Sequence, residues 1–302
     1  MGKQHMKILI TGASGMIGQA LVKALRAEGH QVQGLSRTPK KGPFTSFTWD
    51  VEKGTIDPRA LEGVEAIVNL AGAPIDERWT PQHKNAVLRS RVDGTRLLFE
   101  AVQDHKAPVK TLVSASAVGY YPNDYTRCFQ EDDPSGNDFL SQVCERWEAE
   151  ALQFEALGVR TVRMRIGIVL SLSGGALPKI AAPVKLGLGA PLGSGKQWMP
   201  WIHLDDVVGA MVHVLQHQEC QGAYNLNAGN ATNKAFTRSL AKVLAKPLFL
   251  PPVPAFALKL VLGDMSQTVQ ASNRVSNEKL RASGYHLRYN ELEPCLAHLY
   301  SH

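Results

Sequence analysis

Three glycines set the first chemical constraint. In ILITGASGMIG, residues 8–18, Gly12, Gly15 and Gly18 are spaced G-x-x-G-x-x-G between a short apolar run and an amphipathic one. Small residues at that spacing, after a strand and opening a helix, let backbone approach a pyrophosphate whose charge rests on the helix N-terminus. The turn Thr11, Gly12, Ser14, Gly15, Met16, Ile17 and Gly18 is therefore assigned to a dinucleotide. The end of the second apolar run, GLSRTPKK, then bears on which dinucleotide is bound. An adenosine 2′-hydroxyl calls for Asp or Glu about 20 residues after the glycines, but the position holds Ser36 and Arg37. A guanidinium pairs with a phosphate through charge-assisted bonds of roughly 1.5–3 kcal/mol, about ten- to a hundredfold in affinity. Ser36 and Arg37 thus favour NADP(H) over NAD(H).

The elements that must position these residues alternate. Apolar strand patterns at 7–10, 30–36, 44–50, 64–72, 109–116 and 159–170 are interleaved with helical patterns at 18–29, 81–104 and 139–154. That rhythm predicts α/β architecture: a Rossmann-type doubly wound parallel sheet with a small C-terminal substrate domain. The expected division is 1–170 with 205–228 for the cofactor, and 171–204 with 229–302 for the substrate. The Gly- and Pro-rich stretch after Leu170 is too long for an ordinary connection and reads as a flexible substrate lid. Trp198 and Trp201 would wall it and His203 would face the cleft or be packed, with Asp205 or Asp206 capping the next helix. Its GLGAPLGSGKQ is not a phosphate-binding P-loop, because Ala190 stands where the first glycine is needed and Gln197 replaces the Ser/Thr.

The totals narrow the class. The chain has 302 residues, 44% hydrophobic and 20% charged, with net charge +6. No apolar run approaches the roughly 20 residues of a membrane span. The four cysteines form no C-x-x-C pair, so a disulfide framework and a metal site are both unexpected and a reducing cytoplasm is the expected location. The basic residues are scattered, with SRTPKK the tightest cluster, and match no nucleic-acid module. The expected partner is a small-molecule substrate, with neither nucleic acid nor membrane.

The chain resembles the extended short-chain dehydrogenase/reductases, and within them an atypical epimerase-family branch that is nucleoside-diphosphate-sugar epimerase-like. The pieces that carry the likeness are TGASGMIG, VNLAG (68–72), SRVDGTRLL (90–98), LVSASAVGYY (112–121), RIGIVLS (165–171) and PWIHLDDVVGAM (200–211). KLGLGAPLGSGKQWMPWIH and the C-terminal PPVPAFALKLVLGDMSQTVQASNRVSNEKLRASGYHLRY are similar to that branch in particular. The resemblance implies that Leu70, Ala71 and Gly72 pass beside the ribose and nicotinamide, that Asp50 lies near the adenine, and that Val169 lies beside the nicotinamide. Arg91 would approach the cofactor from its helix, where true epimerases carry asparagine. Ser116 matches the catalytic serine. A homodimer through the helices at 81–104 and 139–154 is implied as well.

One implied feature is missing. The family's Tyr-x-x-x-Lys moves the proton, the lysine lowering a phenol pKa that is otherwise about 10. Here the matching positions are Phe139 and Val143, and none of the seven tyrosines has lysine four residues on. The candidate substitutes are Tyr120 as the proton-handling phenol and Tyr121 as a substrate contact, unless both are packing aromatics. Cys144 and Glu145 lie one and two positions past Val143, unless they are a core thiol and a solvated carboxylate. Two readings follow: an NADP(H)-dependent reductase or epimerase-like oxidoreductase on a polar carbonyl or nucleotide sugar, or an inactive NADP(H)-binding sensor.

Overall fold

The computed structural model describes residues 5–38 and 42–301; Lys40 and Lys41 of the basic cluster lie outside the described residues. The chain runs β1 (Lys7–Thr11), α1 (Met16–Ala27), β2 (Gln31–Ser36), β3 (Thr45–Asp50), β4 (Thr55–Ile56), β5 (Ala66–Asn69), α2 (Pro81–Asp104) and β6 (Thr111–Ala117). It continues with β7 (Cys128–Phe129), α3 (Phe139–Leu152), β8 (Arg160–Ile166), β9 (Ile168–Leu170), α4 (Ala176–Lys185), β10 (Trp198–His203), α5 (Leu204–Gln216) and β11 (Gly222–Leu226). The remainder is β12 (Gly229–Thr232), α6 (Asn233–Val243), α7 (Ala255–Leu262), α8 (Ser266–Gln270), β13 (Arg274–Val275), α9 (Glu278–Ala282) and α10 (Leu292–Tyr300).

Eight strands form one sheet in the order β11-β8-β6-β5-β1-β2-β3-β4, parallel except for β4. Ile8, Leu9 and Ile10 of β1 are all fully buried. Ile8 and Ile10 join the core beneath α1 and α5, while Leu9 joins Ile67, Leu97 and Leu98 on the α2 side. Both faces of the sheet are covered, and this is why KILI carries no polar alternation. The doubly wound parallel fold expected from the sequence is the fold observed.

Local chemistry sets the helix ends. Thr80 caps α2 by accepting from His83 N, with Pro81 at the first helical position, and Asp138 caps α3 by accepting from Ser141 N. At α5 the cap is neither Asp205 nor Asp206. His203 Nδ1 accepts from Asp205 N at 3.0 Å, because Asp206 is buried and engaged elsewhere. Its carboxylate accepts from Tyr285 Oη, Arg288 N and Tyr289 N, fastening the C-terminal segment to α5.

Two further expectations are revised. The strand pattern at 159–170 breaks at Gly167, where an added Cβ would stand 2.7 Å from Pro200 O. β8 stays in the large sheet, and β9 leaves it to join a second sheet of order β12-β10-β9. The stretch from 171 to 204 is not a structureless lid: it forms α4, with Pro183 inside the helix, and then β10. Gln197 Nε2 ties it to Leu192 O and Val269 O, and Asn233 Oδ1 accepts from Leu192 N. Among the described residues no helix is long and apolar enough to cross a membrane.

Candidate functional site

Three loops meet at one edge of the sheet. Thr11 is in register with Leu35 on one side and Asn69 on the other, so Gly12, Ser36 and Leu70 begin neighbouring turns. Thr11 is buried and pegs two of them together: its Oγ1 donates to Asn69 Oδ1 at 2.7 Å and accepts from Leu70 N and Ala71 N at 3.0 Å each. The three glycines have separate reasons to be glycine. Gly12 has φ +67°, and a Cβ there would meet the Leu70 carbonyl carbon at 2.9 Å. A Cβ on Gly18 would lie 2.2 Å from Gly12 O, so helix α1 packs on the turn only without one. Gly15 is exposed, and its Cβ would meet a single protein atom, Gly12 O at 3.3 Å. Folding therefore accounts for Gly12 and Gly18, while Gly15 leaves an open cradle at an α1 N-terminus that no side chain caps. Such a cradle fits a pyrophosphate. Ser14 is exposed beside it, Ile17 packs inward, and Met16 lies against Gly174 and Gly175, bringing the segment before α4 over the turn.

At the end of β2, Ser36 Oγ closes the turn with Thr38, donating to its O and accepting from its N. Arg37 is exposed and forms no ion pair among the described residues. Asp50, ending β3, is engaged in its own turn: Oδ1 accepts from Glu52 N and Lys53 N. The Lys53 amide holds its carboxyl below the usual value. Arg91 closes over Gly72, where a Cβ would meet its guanidinium at 2.8 Å. Its Nη1 donates to Ala73 O and Val87 O, its guanidinium lies over the Trp147 ring, and burial lowers its pKa. Arg91 thus shapes the loop that holds Leu70, Ala71 and Gly72.

Along the same edge, at the end of β6, lies a buried ionic network. Ser116 Oγ donates to Glu148 Oε1 at 2.7 Å. Arg165 reaches the same carboxylate through Nε at 2.8 Å and Nη2 at 2.9 Å, and Arg163 through Nη1 at 3.0 Å. Arg165 Nη1 also donates to Tyr121 Oη at 2.8 Å, and Tyr121 Oη donates to Asn225 Oδ1 at 2.7 Å. Burial opposes the charge on Arg165, but Glu148 outweighs it and raises the guanidinium above the ordinary arginine range. Burial pushes the Tyr121 phenol up to about 12 even beside Arg165, so Tyr121 stays neutral in this network. Tyr120 differs. It is half-buried, the Arg165 guanidinium lies 3.6 Å from its ring centroid, and among the described residues its hydroxyl makes no hydrogen bond.

The positions of the absent pair are structural. Phe139 stacks edge-on against Trp79 at 5.1 Å and Val143 is buried. Burial pushes Cys144 up to about 12, which keeps it a thiol; Glu145 is exposed and accepts from Ser135 Oγ. The other candidates are dispersed. Val169 lies in β9 opposite Ile202. Trp201 is a core residue; Trp198 donates to Tyr125 O and carries the Arg274 guanidinium on its ring. His203 packs on Tyr289, with ring centroids 4.0 Å apart. Among the described residues no group of three potential metal ligands is gathered.

Glu148 and Arg165 were missed in the sequence although a signal existed. Arg163 and Arg165 alternate with the apolar Val162, Met164 and Ile166 of β8, and Glu148 falls on the buried stripe of α3. Buried charges need partners, so each implies the other.

Comparison with known proteins follows the same outline. The NAD dependent epimerase/dehydratase family matches residues 8–227, and a domain of unknown function, DUF1731, matches residues 253–299. Epimerase family protein SSP1921 of Staphylococcus saprophyticus is 37% identical over 96% of this chain and 98% of its own length. Epimerase family protein YfhF of Bacillus subtilis is 36% identical over 97% and 98%. The crystal structure of human epimerase family protein SDR39U1 (isoform 2) with NADPH superposes with a TM-score of 0.88 at 33% identity, covering 98% of this chain and 99% of that one.

Proposed function

The chain belongs to the NAD dependent epimerase/dehydratase family, and on that premise we propose an NADP(H)-dependent, epimerase-like oxidoreductase acting on a polar carbonyl or nucleotide-sugar compound. The observation that carries this reading is the open cradle at Gly15 together with an exposed Arg37, with no carboxylate at the end of β2. A bound dinucleotide supplies hydride transfer at a substrate carbon. The chain's part is to hold and orient it. The uncapped amides of the first turn of α1 take the pyrophosphate, and Arg37 takes the adenosine 2′-phosphate. The NADPH in the human relative supports the choice of NADP(H). Leu70, Ala71, Gly72 and Val169 would line the remainder of the cofactor.

Tyr120 takes the proton role. Among the described residues its hydroxyl makes no hydrogen bond, and Arg165, held by Glu148, fixes the ring from one side. Ser116 directs its only proton to Glu148, so toward a substrate it presents an acceptor oxygen. In the reducing direction Tyr120 donates its phenolic proton to the carbonyl oxygen as the carbon is reduced. The test follows nicotinamide absorbance across a panel of carbonyl compounds and nucleotide sugars, with Tyr120→Phe alongside. Turnover that Tyr120→Phe removes, with NADPH affinity kept, is expected. No turnover with any compound, together with cofactor-dependent association with another protein, would instead establish a sensor.

A further inference from the structure

An apolar surface lies on the α4, α6 and α7 side of the molecule. Leu186, Leu188, Phe249, Phe256, Leu260 and Val261 are between 59% and 83% exposed. They sit on adjoining segments. A Cβ on Gly189 would touch Leu248 at 3.3 Å, which sets the loop after α4 against the one after α6. Val253 N donates to Pro191 O and Gly193 N to Val253 O, carrying the contact to the start of α7. There Leu258 turns inward and anchors the helix, while Phe256 and Leu260, four residues apart, share its outer side with Val261. Monomeric proteins seldom leave so many large apolar side chains protruding together without a use for them.

Within the segments that carry these residues the charge is of one sign, and carboxylates from elsewhere in the chain meet α4 and α6 as Asp76 with Lys179 and Glu293 with Lys242. No aspartate or glutamate occurs between Leu172 and Leu204 or between Cys220 and Gly263. Lys185, Lys246 and Lys259 are exposed along it and form no ion pair among the described residues; Asp264 just beyond α7 is paired with Lys84. A second copy docked through this face would set lysines against lysines. Side chains that protrude from a convex helix also suit a deformable apolar layer better than a groove on a protein. We propose that this face docks peripherally on an anionic lipid bilayer, α7 lying in the interface with Phe256, Leu260 and Val261 among the acyl chains and the lysines among acidic headgroups. That no helix among the described residues is long and apolar enough to span a bilayer is no obstacle, since interfacial docking needs only a few inserted side chains.

The test is co-sedimentation of the full chain with vesicles of phosphatidylcholine alone or mixed with phosphatidylglycerol, at low and high salt. Sedimentation with the anionic vesicles is expected, weakened by salt and falling about fivefold for each of Lys246→Gln and Lys259→Gln. The Phe256→Ser/Leu260→Ser pair should lower it at least about tenfold while leaving the melting temperature unchanged. Failure to sediment with either vesicle overturns the proposal, as does binding that survives the serine pair. A dimer in sedimentation velocity that the serine pair splits would give the face to a second copy and overturn it equally.

Discussion

The Ser116 hydroxyl donates to Glu148 at 2.7 Å, and Arg165 grips the same carboxylate through two nitrogens at 2.8 and 2.9 Å. Each partner is buried, so neither charge can fall back on solvent. Glu148→Gln keeps the shape but leaves Arg165 uncompensated. It should destabilise the fold by about 3–5 kcal/mol in denaturant unfolding. Adding Arg165→Met should recover part of that loss. A single variant that unfolds within about 1 kcal/mol of the parent would show that the network carries little of the stability.

The glycines separate folding from binding. Gly18→Ala forces a Cβ to 2.2 Å from Gly12 O and should lower the melting temperature markedly, with cofactor binding falling in step. Gly15→Ala adds its methyl into the open cradle, meeting only Gly12 O at 3.3 Å. It should keep the melting temperature within a few degrees and weaken NADPH binding about tenfold or more. Equal losses of stability in the two variants would contradict the assignment of Gly15 to a ligand.

The frame was legible because its signals are local. KILI, VEAIVNLAG and VKTLVSAS each carry consecutive apolar residues, Ile8 to Ile10, Ala66 to Val68 and Leu112 to Val113, and the glycine turn marks where β1 hands over to α1. What was hidden depends on distant partners. Nothing local in the pattern at 159–170 marks Gly167 as an end, yet Gly167 must pass beside Pro200 O and the strand divides there. Asp206 has the composition of a helix cap, but Tyr285, Arg288 and Tyr289 claim it and the cap passes to His203. Gly- and Pro-rich composition masked α4, which tolerates Pro183 within it. The likeness to epimerases singles out Phe139 and Val143, while the charged pair lies further along the same helix, at Glu148, and across on β8, at Arg165.

Acid should destabilise the protein through His203. Burial lowers its pKa below the usual 6.5, with His298 adding to the effect and Asp205 and Asp206 opposing it. Its Nδ1 must be unprotonated to accept from Asp205 N. The unfolded chain therefore binds the proton more readily. The contribution is fully present above about pH 6.5 and is lost as pH falls from there toward the lower folded value. Burial, with His217 adding to it, lowers His213 as well, which adds in the same direction. His203→Asn keeps a capping side chain and should reduce the slope of unfolding free energy against pH below about 6.5. An unchanged slope would remove His203 from the account.

The most direct test of the cofactor assignment is equilibrium binding of NADPH and NADH to the parent chain and to Arg37→Ala. The parent should prefer NADPH by about ten- to a hundredfold, and the variant should lose that preference through weaker NADPH binding, with NADH affinity unchanged. Equal affinity of the parent for the two cofactors, or an Arg37→Ala variant that binds NADPH as tightly as the parent, would contradict it.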